Sequence, residues 1–538
     1  MNGADALVKS LKEEGVEIVF GYPGVAICPF YNSILESDIR TILIRTEQNA
    51  AHAASGLARV TGKVGVCAVT SGPGATNVIT GIATAFADSI PMVIITGQVD
   101  SKLLGSDVFQ EADITGAVES FVKYSYLVKN AEDIPRIVKE AFHIANTGRK
   151  GPVLIDIPID VQNSSVNKFK YPEEVNLRTY KPTVKGNGQQ IKKVVNALEK
   201  AKRPIICVGG GVHLSDATNA VREFSHKYSI PVVSTMMGLG VMQTNDEMYY
   251  GMVGNNGKPF ANRAMNEADL MIVAGARVAD RAISQPDLIM ENKTLIHIDV
   301  DPAEIGKNAQ ATIPLVGDVG VIFAEMKDYD IKTNTADWVD TLNGYRDSMG
   351  VKRNPNPLYV DPAMFIQMLC NSMEDDAIYV ADVGQNQIWS CANAIVKNGR
   401  FLTSGGMGTM GYSIPAAMGA KLALPSKQVV AVCGDGSFQM SLMELATMRQ
   451  HDIQGKIIVM NNGYLGMVRE YQHYTYKDNY SVVDLTGSPD LSKISEAYGF
   501  DYIRLENMED AQSRIDEFLN DEKSVLMEIM IDPMDLVK

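Results

Sequence analysis

The chain has 538 residues, too many for one hydrophobic core, so two to four domains are expected. A hydrophobic content of 46% and a mean hydropathy of −0.04 describe a folded protein, and no apolar run approaches the ~18 residues that span a bilayer. With 49 basic and 64 acidic residues the net charge is −15, which excludes a nucleic-acid footprint but not a small anionic substrate, since local charge at a site can oppose the global sign.

The first residues, MNGADALVKSLKEEG, read as an amphipathic helix over 4–12 with no signal-peptide core. Strands are predicted at 17–20, 41–45, 63–70, 91–97 and 152–158, with helical periodicity between them. The polar stretch 163–187 reads as a linker, and strands follow near 204–208, 231–235, 270–274 and 295–300. A second linker is read over 330–361, around its NPNP, before strands at 377–381, 428–432, 456–460 and 525–531. Continuous apolar strands alternating with helices predict an α/β fold of doubly wound parallel sheets, divided into domains 1–165, 187–330 and 361–538. The six cysteines (Cys28, Cys67, Cys207, Cys370, Cys391 and Cys433) form no CxxC pair, as expected of reduced, buried thiols in a cytoplasmic protein. The histidines show no metal-ligand spacing.

The chemistry concentrates where strands end. In the third unit Gly434-Asp435-Gly436-Ser437 and Asn461-Asn462 each follow an apolar strand, the place where open α/β sheets bind ligands. Glycines let backbone N–H groups approach a diphosphate, and the helix N-terminus behind them favours anions. Asp435 and the Asn462 amide oxygen are hard ligands suited to Mg²⁺. Val383-Gly384-Gln385-Asn386 and the cluster 405–411 also put glycine at strand ends, and Met410 reads either as an apolar wedge or as core filler. In the first unit Glu47 begins a helix; it reads as a cap or dipole partner, or as a buried carboxylate that moves a proton on a heterocycle. Ser71, Gly72, Pro73 and Gly74, with Asn77 beyond, form a rigid turn that suits either a polar ligand or an ordinary loop. In the middle unit Gly209, Gly210 and Gly211, then Gly275 to Arg281, Asp299 and Asp318, look like a dinucleotide site without the GxGxxG spacing, or like scaffolding alone.

Together these motifs resemble the thiamine-diphosphate (ThDP) enzymes, specifically the acetohydroxyacid synthase (acetolactate synthase) large subunits. The likeness is carried by GDGS through NNGYLGMVREYQ, and extended by 45–59, TSGPGATN, DSIPMVIITGQV, FQEADI, GRKGPVLIDIP and IHIDVDPAEIGKN. The resemblance implies that Asp435, Asn462 and the Tyr464 carbonyl hold Mg²⁺ on the diphosphate. Val383, Gly384, Gln385, Asn386, Gly434, Gly436 and Ser437 would line the phosphates, and Gly408 and Met410 would receive the aminopyrimidine. Glu47, from a partner subunit, would bond the pyrimidine nitrogen, with Phe109, Gln110 and Lys123 approaching the thiazolium from the same side. Flavin (FAD) is expected, in a structural role, on Gly209, Gly210, Gly211, Arg149, Gly275, Arg277, Asp299 and Asp318, and Arg281 is the candidate grip for the second substrate's carboxylate.

The implied activity is decarboxylation of pyruvate and condensation with a second 2-oxo acid to 2-acetolactate or 2-aceto-2-hydroxybutyrate. A homodimer or tetramer with shared sites is expected in the cytoplasm, with room for a small regulatory subunit and with neither nucleic acid nor membrane as partner. A ThDP lyase or decarboxylase acting on another 2-oxo acid is the competing reading. The chain departs from the family pattern at Val25, where a glycine is usual, at Ile159 for a lysine and at Tyr471 for a tryptophan. It also reads RVADR for RFDDR at 277–281 and lacks a Pro-rich tail after Lys538. Val25, Phe109 and Tyr471 are therefore the expected substrate wall.

Overall fold

Val- and Ile-rich runs of three to seven residues become the inner strands of parallel sheets, largely buried on both faces. The computed structural model describes residues 1–283, 292–350 and 353–537. The first sheet contains β1 (Ile18–Tyr22), β2 (Arg40–Leu43), β3 (Gly65–Val69), β4 (Met92–Gln98), β5 (Tyr124–Leu127) and β6 (Pro152–Pro158). The second contains β7 (Pro204–Val208), β8 (Val232–Ser234), β9 (Tyr249–Met252), β10 (Leu270–Ala274), β11 (Thr294–Asp299) and β12 (Ile313–Val316). The third contains β13 (Ile378–Ala381), β14 (Arg400–Leu402), β15 (Val429–Gly434), β16 (Lys456–Asn461), β17 (Asp501–Leu505) and β18 (Val525–Met530).

The first sheet is ordered β2-β1-β3-β4-β6-β5 and the third β14-β13-β15-β16-β18-β17, the same order counted from each sheet's own first strand. The central sheet differs. Read from β9 to β12 it has the order 3-2-1-4-5-6 of dinucleotide-binding sheets, with its switch point between β7 and β10.

The first and third units are fused along two helices. Helix Glu47–Thr61 starts on the Thr46 cap, whose side chain accepts the Asn49 N–H, and ends at Gly62 in the left-handed region; twelve of its fifteen residues are buried. It packs on helix Ser413–Ala423 with almost no side-chain spacing: a Cβ on Gly56 would collide with the Ala416 carbonyl, and one on Gly419 with the Ala53 carbonyl. One apolar core accordingly draws on both units, from Phe20 and Ile94 to Ile414 and Val459.

Two expectations are corrected. The stretch read as a second linker contains helix Ala336–Ser348, whose Trp338 donates its indole N–H to the Pro204 carbonyl at 3.1 Å and joins the core of the central sheet; residues 351 and 352 lie outside the described residues. Five strands, β5, β9, β12, β14 and β17, were not expected, and each lies at a sheet edge. Among the cysteines only Cys28 is exposed, and all six are free.

Candidate active site

At the carboxyl end of the third sheet, β15 runs into Asp435, the first residue of helix Asp435–Ser441, while β16 runs into the turn 461–463. The turn wraps the carboxylate: Gly463, at φ +70°, donates its N–H to Asp435 Oδ2 and to Asn461 Oδ1, both at 3.0 Å. This folds Asn462 beside Asp435, and Asn462 Oδ1 accepts the Tyr464 N–H at 3.0 Å. Asn462 Nδ2 donates to Gln385 Oε1 at 3.0 Å, and Gln385 Nε2 donates to Glu470 at 2.9 Å, so the side chain after Gly384 is fixed. Burial pushes the Asp435 carboxyl up to about 7, which a neighbouring divalent cation would reverse.

The glycines here have a different purpose from those between the helices. A Cβ on Gly434 would meet nothing closer than the Asn386 amide oxygen at 3.6 Å, and one on Gly408 only Val383 at 4.0 Å. Neither would meet a clash, and Gly434 lines a cleft of about 80 Å³ together with Val383, Asn386, Gly436, Ser437 and Met410. Met410 reaches across it, its methyl carbon 3.6 Å from where a Gly436 Cβ would stand. Among the described residues no cluster of three His, Cys, Asp or Glu is present. A carboxylate, an amide oxygen and a carbonyl are instead the sparse hard set that Mg²⁺ accepts when phosphate oxygens complete its shell. The donor set and the open glycines fit a Mg²⁺-diphosphate.

The first-sheet residues gather on a separate face. Glu47 is buried, bonded among the described residues to Asn77 Nδ2 at 3.1 Å, and its Oε1 lies 3.4 Å from where a Gly74 Cβ would stand. Ser71 is buried and Pro73 exposed in the turn behind β3. Gly72 has another reason to be glycine: at φ +58°, its Cβ would fall 2.9 Å from the Gln110 backbone, so it makes room for Gln110 rather than for a ligand. Val25 and Phe109 point outward, 74% and 87% exposed, and Tyr471 on helix Gly466–Tyr476 is 60% exposed. No first-sheet residue lines the diphosphate cleft of its own chain.

Lys123 is a correction. It precedes β5, at the opposite end of the sheet from Glu47, and its Nζ donates to the carbonyls of Ile144 and Thr147 and to the Tyr180 hydroxyl. It closes the end of helix Ile134–Asn146 against the linker and does not face the Glu47 side.

The central unit carries a second cleft, of about 210 Å³. Arg149, Gly210, Gly211, Gly275, Arg277, Arg281, Asp299 and Asp318 all line it. Gly209 and Gly211 allow the turns behind β7 and β10 to cross, since a Cβ on either would collide with the Gly275 backbone. Arg149 donates to Asp301 at 3.1 Å and Glu304 at 2.8 Å, and Asp318 caps helix Val319–Lys327 through the Val321 N–H. Burial raises Asp299 to about 6. Ser215 Oγ, in the same cleft, is buried with no partner among the described residues. Switch-point topology, crossed glycine turns and an orphaned hydroxyl fit a dinucleotide.

Two buried carboxylates escaped the sequence reading. Asp382, at the end of β13, accepts the N–H groups of Val383, Gly411 and Ser413, and Asp88, from the first unit, accepts those of Gly405 and Gly406. The first could have been read from its place at a strand end. The second had no local signal.

Comparison with known proteins follows this division. The family profile "Thiamine pyrophosphate enzyme, N-terminal TPP binding domain" matches residues 1–117, the central-domain profile 191–326, and "C-terminal TPP binding domain" 382–529. The chain is 41% identical over 553 residues to a probable acetolactate synthase large subunit of Methanococcus aeolicus, covering 99% of this chain and 92% of that protein. It is 42% identical to the acetolactate synthase large subunit of Haemophilus influenzae (99% and 95% covered) and 44% to that of Corynebacterium glutamicum (95% and 83% covered).

Proposed function

The chain belongs to the acetolactate synthase large-subunit family of thiamine pyrophosphate enzymes, and from that premise we propose how its own residues divide the work. It decarboxylates pyruvate and condenses the remaining two-carbon unit with a second 2-oxo acid, giving 2-acetolactate when that acid is pyruvate. Thiamine diphosphate, when bound, supplies the electron sink that makes loss of CO₂ feasible. Asp435, Asn462 and the Tyr464 carbonyl hold Mg²⁺ against the diphosphate, and the N–H groups beyond Gly384 and Gly436 meet its oxygens. Gly408 would leave space for the aminopyrimidine and Met410 would pack against it.

Glu47 holds and moves the proton on the pyrimidine nitrogen. Its burial suits the task, because a carboxyl screened from water keeps a directed hydrogen bond. Glu47 does not line the diphosphate cleft of its own chain; the complete site would join two copies, and Val25, Phe109 and Tyr471 would be covered when they meet. Gln110, fixed by Gly72, faces the substrate. Arg281, exposed on the central cleft, grips the carboxylate of the second 2-oxo acid. Gly210, Gly211, Gly275 and Arg277, which line that cleft, would hold FAD, with no redox part in the reaction. The relatives are named as large subunits, and a smaller regulatory chain is the matching partner. The cytoplasm is the proposed location; no described helix is long and apolar enough to cross a membrane.

The observation that carries this reading is the wrapped Asp435–Asn462 turn at the mouth of a cleft that Gly434 and Gly436 line. Its test is incubation with pyruvate, ThDP, Mg²⁺ and FAD. Acetolactate, read as acetoin after acid treatment, supports it; acetaldehyde as sole product would replace it with a simple decarboxylase.

A further inference from the structure

The loop 405–411, which carries Gly408 and Met410, is held at both ends by buried carboxylates. Asp382 fixes the far end, accepting the Gly411 N–H at 2.9 Å and the Ser413 N–H at 2.8 Å. The near end is fixed from another domain: Asp88 Oδ1 accepts the Gly406 N–H at 2.7 Å and Oδ2 the Gly405 N–H at 3.3 Å. The same carboxylate pairs with Arg59 at 2.5 Å, the two side chains being 0% and 6% exposed. Fit is tight, for a Cβ on Gly406 would stand 2.8 Å from the Ala87 carbonyl oxygen and 2.9 Å from Asp88 Oδ1. A Cβ on Gly405 would collide with the Met237 sulfur of the central unit, and Thr409 bonds Thr84 of helix Ile79–Ala87 at 2.7 Å.

The other side of this junction is the dinucleotide cleft. Ala87, Asp88, Ser89, Met237 and Gly405 all line it, and Ser89 Oγ accepts from Arg149 Nε at 3.1 Å. One short segment, 87–89, therefore touches the flavin cleft on one side and the aminopyrimidine loop on the other. A buried ion pair is weak evidence for stability on its own, because desolvation offsets its attraction. Its position gives it a better reason to exist.

We propose that Asp88 is a positioning residue that couples the two clefts: it holds loop 405–411 ready for the aminopyrimidine, and a dinucleotide that fills the central cleft fixes Asp88 and so tightens ThDP binding. The inference rests on the flavin reading given above. Linkage makes the effect reciprocal, so ThDP must tighten flavin binding by the same factor.

The test measures ThDP affinity calorimetrically in Mg²⁺ buffer, with and without saturating FAD, and FAD affinity by flavin fluorescence. In the wild-type protein FAD tightens ThDP binding by about fivefold or more, within the usual range of coupling. Asp88→Asn reduces that ratio to about one while FAD still binds at one per chain. Because Asp88→Asn leaves the Arg59 charge poorly paired, Gly406→Ala is the second variant; it keeps the ion pair, pushes the loop off Asp88, and is expected to lose the coupling equally. Wild-type coupling retained in either folded variant overturns the proposal. Wild-type protein that binds FAD with unchanged ThDP affinity overturns the coupling alone, whereas protein that binds no FAD overturns the flavin reading and the coupling together.

Discussion

The first and third domains have one strand order and place their site loops at matching topological positions. Gly24 and Val25 follow β1 as Gly384 and Gln385 follow β13; Glu47 follows β2 as loop 405–411 follows β14; Ser71 to Gly74 follow β3 as Gly434 to Ser437 follow β15. What the loops carry is different. The third domain's loops offer oxygen ligands and glycines open to a ligand, in a cleft built from that domain alone. The first domain's loops offer one buried carboxylate and apolar side chains left in solvent, Val25 and Phe109. On the proposed reading one scaffold would serve twice, first to act on the cofactor's head and then to grip its tail, so the division would lie in loop chemistry and not in the fold.

That division is open to direct attack. Glu47→Gln keeps the hydrogen bond and removes the proton acceptor; kcat is expected to fall by about 10²–10⁴-fold, the usual worth of a general acid–base group. ThDP and Mg²⁺ affinities should stay within about threefold of wild type, since the gripping groups are in the other domain. Loss of cofactor affinity with kcat intact would break the comparison. The converse variant, Asp435→Asn, should lower apparent Mg²⁺ affinity by about 10–100-fold, with partial recovery of rate at high Mg²⁺. A kcat deficit that no Mg²⁺ concentration relieves would assign Asp435 to the chemistry instead.

How far the sequence carried this picture depends on where each residue lies. β6, β7 and β10 occur with the bounds their apolar runs predicted, because a strand buried on both faces writes itself as an unbroken hydrophobic run. Every unexpected strand is an edge: β5 (YSYL) and β17 (DYIRL) are partly exposed and mix polar with apolar residues, so no such run exists to find. The site divides similarly. The juxtaposition of Asp435 and Asn462 was legible because one local turn makes it. Lys123 was misplaced because nothing in its neighbours reports which end of β5 it occupies. Asp88 and the true partner of Gly72 were invisible, since their contacts cross from one strand-end loop or domain to another.

The glycines sharpen the contrast between grip and packing. Gly434→Ala adds a methyl at ordinary contact distance from Asn386, Ser437 and Met460, with no clash, so it should weaken ThDP binding by about tenfold with the melting temperature little changed, the methyl competing with the ligand. Gly56→Ala drives a methyl into the Ala416 carbonyl, and about 1–3 kcal/mol of stability should be lost through overpacking while ThDP affinity is preserved in the folded fraction. Calorimetry of both variants checks the pair. A melting shift in Gly434→Ala without an affinity change would make that glycine a packing residue like Gly56.

The smallest effect belongs to the wall where this chain departs from its family. Val25 and Tyr471 are exposed in the single chain, so neither is held by its own core and either can adjust to what packs over it. Each differs from the family residue in size, Val25 being larger than glycine and Tyr471 smaller than tryptophan. A methylene more or less in an apolar pocket is worth about 1–3 kcal/mol, which limits the discrimination either residue exerts between pyruvate and 2-oxobutyrate as acceptor. On the proposed reading Val25 would crowd the pocket and Tyr471 would lack the flat indole surface against which an extra methylene rests, so the native enzyme should favour pyruvate. Tyr471→Trp, and more weakly Val25→Gly, should raise the 2-aceto-2-hydroxybutyrate share of the product by about tenfold or less when the two acids compete at equal concentration. The product ratio, not the total rate, is the reading that matters, because a general loss of activity would move both products together. If the native enzyme already prefers 2-oxobutyrate strongly, these two side chains do not shape the acceptor pocket, and the specificity of the first-domain face resides in Phe109 and Gln110 instead.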